Sequence, residues 1–109
     1  MNSNTLIALT IELLDSPIYN KSQALHTELL TIRDFKVTGK YANVTLKNIT
    51  ATNQVAFSNR DRKPGDVLEI TGEISTFGGF PMDNTTDFSK VSEPIRMEAS
   101  DIQVITKNT

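Results

Sequence analysis

Lys63-Pro64-Gly65-Asp66 opens directly into Val67-Leu68-Glu69-Ile70-Thr71-Gly72-Glu73-Ile74, and the reading of this stretch decides the fold class. Pro fixes its own φ, Gly admits a left-handed backbone and Asp bonds the local chain, so the first four residues form a turn. Leu68, Ile70 and Ile74 then alternate with Glu69, Thr71 and Glu73, the period of a strand with one face buried. Gly72 falls on the apolar side of that alternation. A missing side chain there permits a bulge or a close backbone approach, as a sharply coiled small barrel needs.

Working outward, Leu6 to Leu14 shows the same period, with Ile7, Leu9, Ile11 and Leu13 on one face, and Asp15-Ser16-Pro17 ends it in a turn. A second extended run covers Ala24 to Ile32, with both faces apolar toward its end, as for a strand curving into a barrel. Asp34 to Lys40 reads as a loop, and Tyr41 to Ile49 as a third strand with Val44 and Leu46 facing one way. Ala51 to Asn59 suits a short helix that Thr50 or Thr52 would cap. Phe57, beside Val55 and Ala56, is read as a core plug at one end of the barrel. Phe77 to Pro94, with Gly78, Gly79, Pro81 and the polar run Asp83-Asn84-Thr85-Thr86-Asp87, reads as a long exposed loop. Ile95 to Ile105 is a last strand, irregular near Ser100-Asp101. The expectation is an all-β, five-stranded Greek-key barrel of the OB type with a short helix between strands 3 and 4, filling residues 1–109 as one domain. An immunoglobulin-type sandwich would want about seven strands and, in its best-known form, a buried Trp; the chain has no Trp.

Composition narrows the function classes. A formal charge of −2 gives no overall positive field, so binding to nucleic acid needs a local patch. Hydrophobic residues at 38% and aromatics at 6% point to a small, aliphatic core that a partner subunit would supplement. The chain contains no Cys, which removes disulfides, thiolate nucleophiles and zinc fingers together and suits a reducing compartment. No apolar stretch approaches the roughly 18 residues of a membrane-spanning helix. Met1-Asn2-Ser3-Asn4 brings no side-chain cation ahead of Leu6, so no secretory signal is expected and the chain is placed in the cytoplasm. His26 has no convergent partners for a metal or a triad, and Asp83 to Asp87 lacks the remaining ligands of a calcium loop. Ser58 and Ser89 have no nucleophile-elbow context. The sequence gives no sign of an enzyme, a metal site or a cofactor.

Three stretches carry a resemblance: Asn4 to Pro17, Lys63 to Ile74, and Met97-Glu98-Ala99-Ser100-Asp101-Ile102-Gln103-Val104-Ile105. In that order they look like the first, fourth and fifth strands of the single-stranded-DNA-binding protein family, with its primosomal PriB-like and phage relatives. The resemblance implies an OB fold, binding of single-stranded DNA with little sequence preference, homodimers or homotetramers, and other replication proteins as partners. Members that bind tightly usually carry Trp or Phe on the second and third strands, whereas this chain offers Phe35, Tyr41 and Phe57. The final Thr106-Lys107-Asn108-Thr109 lacks the family's acidic tail, so the resemblance is to the tailless kind.

Single-strand binding needs cations along the phosphates and flat rings under the bases. Lys47, Arg60, Arg62 and Lys63 outnumber Asp61 and Asp66 between residues 41 and 66, whereas residues 67 to 109 are acidic. With Arg33, Lys36 and Lys40 from the preceding loop, and Phe35 and Tyr41 among them, this basic stretch is the expected nucleic-acid site. Phe77 and Phe80, flanking Gly78-Gly79, either stack on bases or bury against a partner subunit. A protein-interaction module of the same fold, without nucleic-acid contact, is the alternative that net acidity and few aromatics favour. A structural β-domain of other topology is a third.

Overall fold

The structure, a computed structural model, describes residues 6–83 and 85–107. Asn4 and Thr5 of the first family-like stretch, Asn84 of the polar run, and Asn108 and Thr109 lie outside the described residues. The fold is mainly β, built as one sheet of eight strands: β1 (Leu6–Leu13), β2 (Ile18–Ser22), β3 (Thr27–Ile32), β4 (Phe35–Thr38), β5 (Leu46–Thr52), β6 (Val67–Thr76), β7 (Pro81–Met82) and β8 (Ile95–Thr106). One helix, α1 (Asn53–Ser58), stands between β5 and β6. The hydrogen-bonded order is β2-β3-β5-β8-β6-β1-β4, with β7 paired to β6; among the described residues only β5 and β8 run parallel.

The strands where period 2 was clearest lie where the alternation put them. Ile7, Leu9, Ile11 and Leu13 of β1 meet Leu68, Ile70 and Ile74 of β6 and Ile95, Met97 and Ile102 of β8 in a single buried cluster. Each such side chain taken fully from water is worth about 1.5–3 kcal/mol. Gly72 pairs with Ala99, one step after Thr71 pairs with Asp101, so Ser100 is an extra residue in β8 and bends the strand. A Cβ on Gly72 would stand 2.1 Å from the Glu98 carbonyl oxygen and 2.8 Å from Ala99 Cα.

Five strands in a closed ring become eight in an open path, and three local causes account for the difference. The expected second run ends at Ile32 as β3, which pairs with β5, and after Arg33-Asp34 the chain resumes as a further strand, β4, which pairs with β1. The stretch read as a loop from Asp34 to Lys40 therefore contains β4, which buries Val37. Behind the turn at Asp15-Ser16-Pro17 the chain forms the edge strand β2, and residues 23–26, the opening of the expected second run, are its hairpin turn, with His26 at φ 53°. Within the expected loop from Phe77 to Pro94, Pro81–Met82 pairs with Ile74 and Ser75.

The third strand starts later than Tyr41, because Gly39 at φ 78° turns the chain through a short 3-10 segment, Gly39–Tyr41, closed by Ala42 N–H to the Gly39 carbonyl. Thr52 holds the N-cap position of α1 but makes no side-chain capping bond, and the helix is anchored instead by Asn53 Oδ1 accepting the Glu28 N–H. Ala56, not Phe57, enters the core: Ala56 is fully buried and Phe57 is exposed. A helix of this length offers the core one inward position, and a methyl group fills it.

Gly72→Ala is expected to lower stability by about 2–3 kcal/mol, since the β8 backbone at Glu98 and Ala99 must move to admit the methyl. Gly78→Ala, whose added carbon meets nothing closer than Thr76 Oγ1 at 3.8 Å, is the control and should stay within about 0.5 kcal/mol. Urea unfolding of both variants decides it; equal midpoints would refute the close-packing account.

Candidate nucleic-acid interface

β6 spans ten residues, roughly 30 Å of strand, and the residues of the basic stretch separate toward its two ends. At the end where β6 finishes, the connections 39–45 and 77–94 meet. Tyr41 and Phe88 stand edge to face with ring centres 6.0 Å apart, and Lys40 Nζ lies 5.3 Å from the Tyr41 ring centre. Phe77 N–H donates to the Pro94 carbonyl, Thr76 N–H to the Phe80 carbonyl, and Phe80 N–H to Thr76 Oγ1. These bonds hold a tight tip at Gly78-Gly79 and leave both rings outside, Phe77 56% and Phe80 69% exposed. The Arg96 guanidinium lies 6.0 Å from the Phe77 ring centre. Lys47 follows Leu46 as Arg96 follows Ile95, and Leu46 and Ile95 are register partners, so both cations flank one exposed surface.

The opposite end holds Arg60, Arg62 and Lys63. Gly65 N–H donates to the Leu13 carbonyl, Leu13 N–H to the Asp66 carbonyl and Leu14 N–H to the Asp34 carbonyl. The Lys63 turn and the Arg33-Asp34 break therefore flank the end of β1, two strand spacings or about 10 Å apart. Arg60 sits over the Phe57 ring at 3.8 Å and its Nη1 donates to the Phe57 carbonyl. Beneath the β2–β3 hairpin, Tyr19 donates its hydroxyl to Glu28. That bond first, and then burial, holds the Tyr19 phenol above its ordinary 10.0, against the lowering pull of Arg60.

Lys36 belongs to neither end. It stands opposite Glu12 in the β1–β4 pair, on the outer surface. Phe35 and Tyr41 are half-buried, packed against the core cluster, so each offers only part of a ring to a ligand.

Register also fixes what the outer face of the middle strands presents. Ile18, Thr31 and Thr50 lie in one cross-strand row, and Asn20, Leu29 and Thr52 in the next. Thr50 in turn pairs with Glu98, which pairs with Glu73. Hydroxyls and aliphatic carbon cover β2, β3 and β5, and carboxylates cover the neighbouring β8 and β6.

Sequence reasoning missed Phe88, Lys90, Arg96 and Lys107 because they lie in the acidic half of the chain; only pairing across the sheet brings them to the other cations. Among the described residues no group of three His, Asp or Glu side chains comes together to hold a metal ion. No helix among them is long and apolar enough to cross a membrane. Compared with known proteins, the chain matches no family model and no curated sequence.

The polar run beside this interface is self-bonded. Asp83 Oδ1 accepts the Thr85 hydroxyl at 2.5 Å and the Thr85 N–H at 2.9 Å, and the hydroxyl bond is the main cause that holds the Asp83 carboxyl below its ordinary 3.8. A depressed folded-state value means that this contribution is present above the ordinary value and lost as pH falls through the folded one. Thr85→Val should therefore move the Asp83 titration up toward 3.8, read from its carboxyl carbon shift; an unmoved curve would refute the assignment.

Proposed function

We propose that the protein is an OB-type barrel that binds single-stranded DNA with little sequence preference, as an accessory to replication, recombination or repair in the cytoplasm, and works as a homodimer. With β3 and β4 taken as two halves of one strand bent at Arg33-Asp34, the pairings are those of a five-stranded barrel: first strand with second and fourth, second with third, third parallel to fifth, fifth with fourth. The position of α1 after the third strand agrees with this. The observation that carries the functional reading is that the exposed rings Phe77 and Phe80 share one end with Lys40 and Lys90 from two connections and Lys47 and Arg96 from the paired starts of β5 and β8. Rings give bases a sequence-tolerant surface, and cations neutralise phosphates. Arg33, Arg60, Arg62 and Lys63 extend the phosphate track at the far end.

A second reading is favoured by the β2–β3 hairpin, whose Ile18, Leu25 and Leu29 are exposed and whose strand β2 is an edge: a protein-binding module of the same fold that touches no nucleic acid.

Fluorescence anisotropy with a labelled oligo-dT strand and a duplex control separates the two. Single-strand binding should saturate and weaken steeply with salt, as released counterions require. Phe77→Ala and Phe80→Ala should each weaken it, by about 5- to 150-fold for a lost stack of roughly 1–3 kcal/mol. No binding at micromolar protein in low salt would overturn the reading in favour of a protein partner.

A further inference from the structure

The end of the molecule that carries Arg62 and Lys63 holds a cavity of about 290 Å³ lined by Ser58, Asp61, Arg62, Lys63, Asp66 and Lys107. Three cations face two carboxylates there, and both carboxylates are already engaged. Asp66, 4% exposed, accepts the Lys63 backbone N–H at 3.0 Å, and Asp61 lies 4.0 Å from Arg60 Nε. Arg62, Lys63 and Lys107 form no ion pair among the described residues. The guanidinium is also held in place. Arg62 Nε donates to Asn59 Oδ1 at 2.8 Å, and Asn59, 3% exposed, donates its own Nδ2 to the Val55 carbonyl at 2.8 Å. One buried side chain thus ties the arginine, which lines the cavity, to the last turn of α1. Ser58 supplies a hydroxyl donor beside them.

A fixed guanidinium, two ammonium groups and a hydroxyl around a cavity match a compact oxyanion. A phosphodiester within a strand carries one charge and continues on both sides, whereas a phosphate monoester carries close to two and ends. From this the geometry points to a pocket for a phosphate monoester, supplied by the terminal phosphate of a bound single strand. The inference rests on the proposed function for the source of the phosphate, and on the pocket alone for its chemistry. Lys107 reaches the site because Thr106 pairs with Val67 directly beyond the Lys63–Asp66 turn.

Two measurements on the full chain test it. Inorganic phosphate, titrated against chloride at matched ionic strength, should shift the backbone amide signals of Lys63, Gly65 and Lys107 saturably. Oligo-dT strands ending in a 5′-phosphate, a 3′-phosphate or neither are then compared by anisotropy. One phosphorylated form should bind about tenfold tighter than the hydroxyl-ended strand, the scale of one added charge-assisted contact. Lys107→Gln should bring that ratio to one. Absence of a saturable phosphate shift overturns the pocket whatever the strands do. A phosphate shift with equal affinity for all three strands overturns the strand end as its occupant and leaves single-strand binding intact. Failure to bind any strand overturns the proposed function and, with it, this source of the phosphate.

Discussion

The near-contact of Gly72 with the β8 backbone sets the shape of everything around it. β6 is the centre of the sheet, paired with β1, β7 and β8, and Gly72 is the one position on its inward face without a side chain. At that point β8 carries its extra residue, Ser100, whose hydroxyl donates to the Thr71 carbonyl. The bulge and the glycine are two halves of one device: one strand bends inward and the other makes room. Before the bend, Ile95–Glu98 lies between β5 and β6, parallel to the one and antiparallel to the other, and beyond it the strand continues beside the first half of β6 to Thr106.

The parts of this design that sequence reveals are those where alternation is long and one-sided. β1, β6 and β8 each repeat the apolar position several times, and Gly72 and Ser100-Asp101 stand out as interruptions of that rhythm. The edge strand β2, Ile18–Ser22, has no buried residue, so its pairing with β3 leaves no apolar period to read. β4 buries only Val37, and a single inward residue does not distinguish a short strand from a loop. For α1 the helix was legible and its face was not. Ala56 and Phe57 are neighbours in sequence, and which of them points inward depends on the orientation of the helix against β3 and β5.

The candidate site was legible in residue type but not in grouping. Arg33 to Lys63 forms one basic stretch along the chain, yet the sheet carries Lys40 and Lys47 to one end and Arg60, Arg62 and Lys63 to the other. The acidic half of the sequence returns cations to both: Lys90 and Arg96 to the first, Lys107 to the second. Sequence proximity measures charge along a line, and a sheet folded on itself reads it across strands.

That redistribution also decides where a polyanion is able to lie. On the outer surface Glu73 faces Glu98 and Thr71 faces Asp101 across the β6–β8 pair, with Glu69 further along β6. A chain of phosphates is repelled from that side, and each carboxylate costs more the less water lies between the charges. Between the two cationic ends the remaining route crosses β3 and β5, where Thr31, Thr50 and Thr52 present hydroxyls and no charge. A net charge of −2 does not by itself close that route to a polyanion, because Glu69, Glu73, Glu98 and Asp101 stand on the β6–β8 side of it.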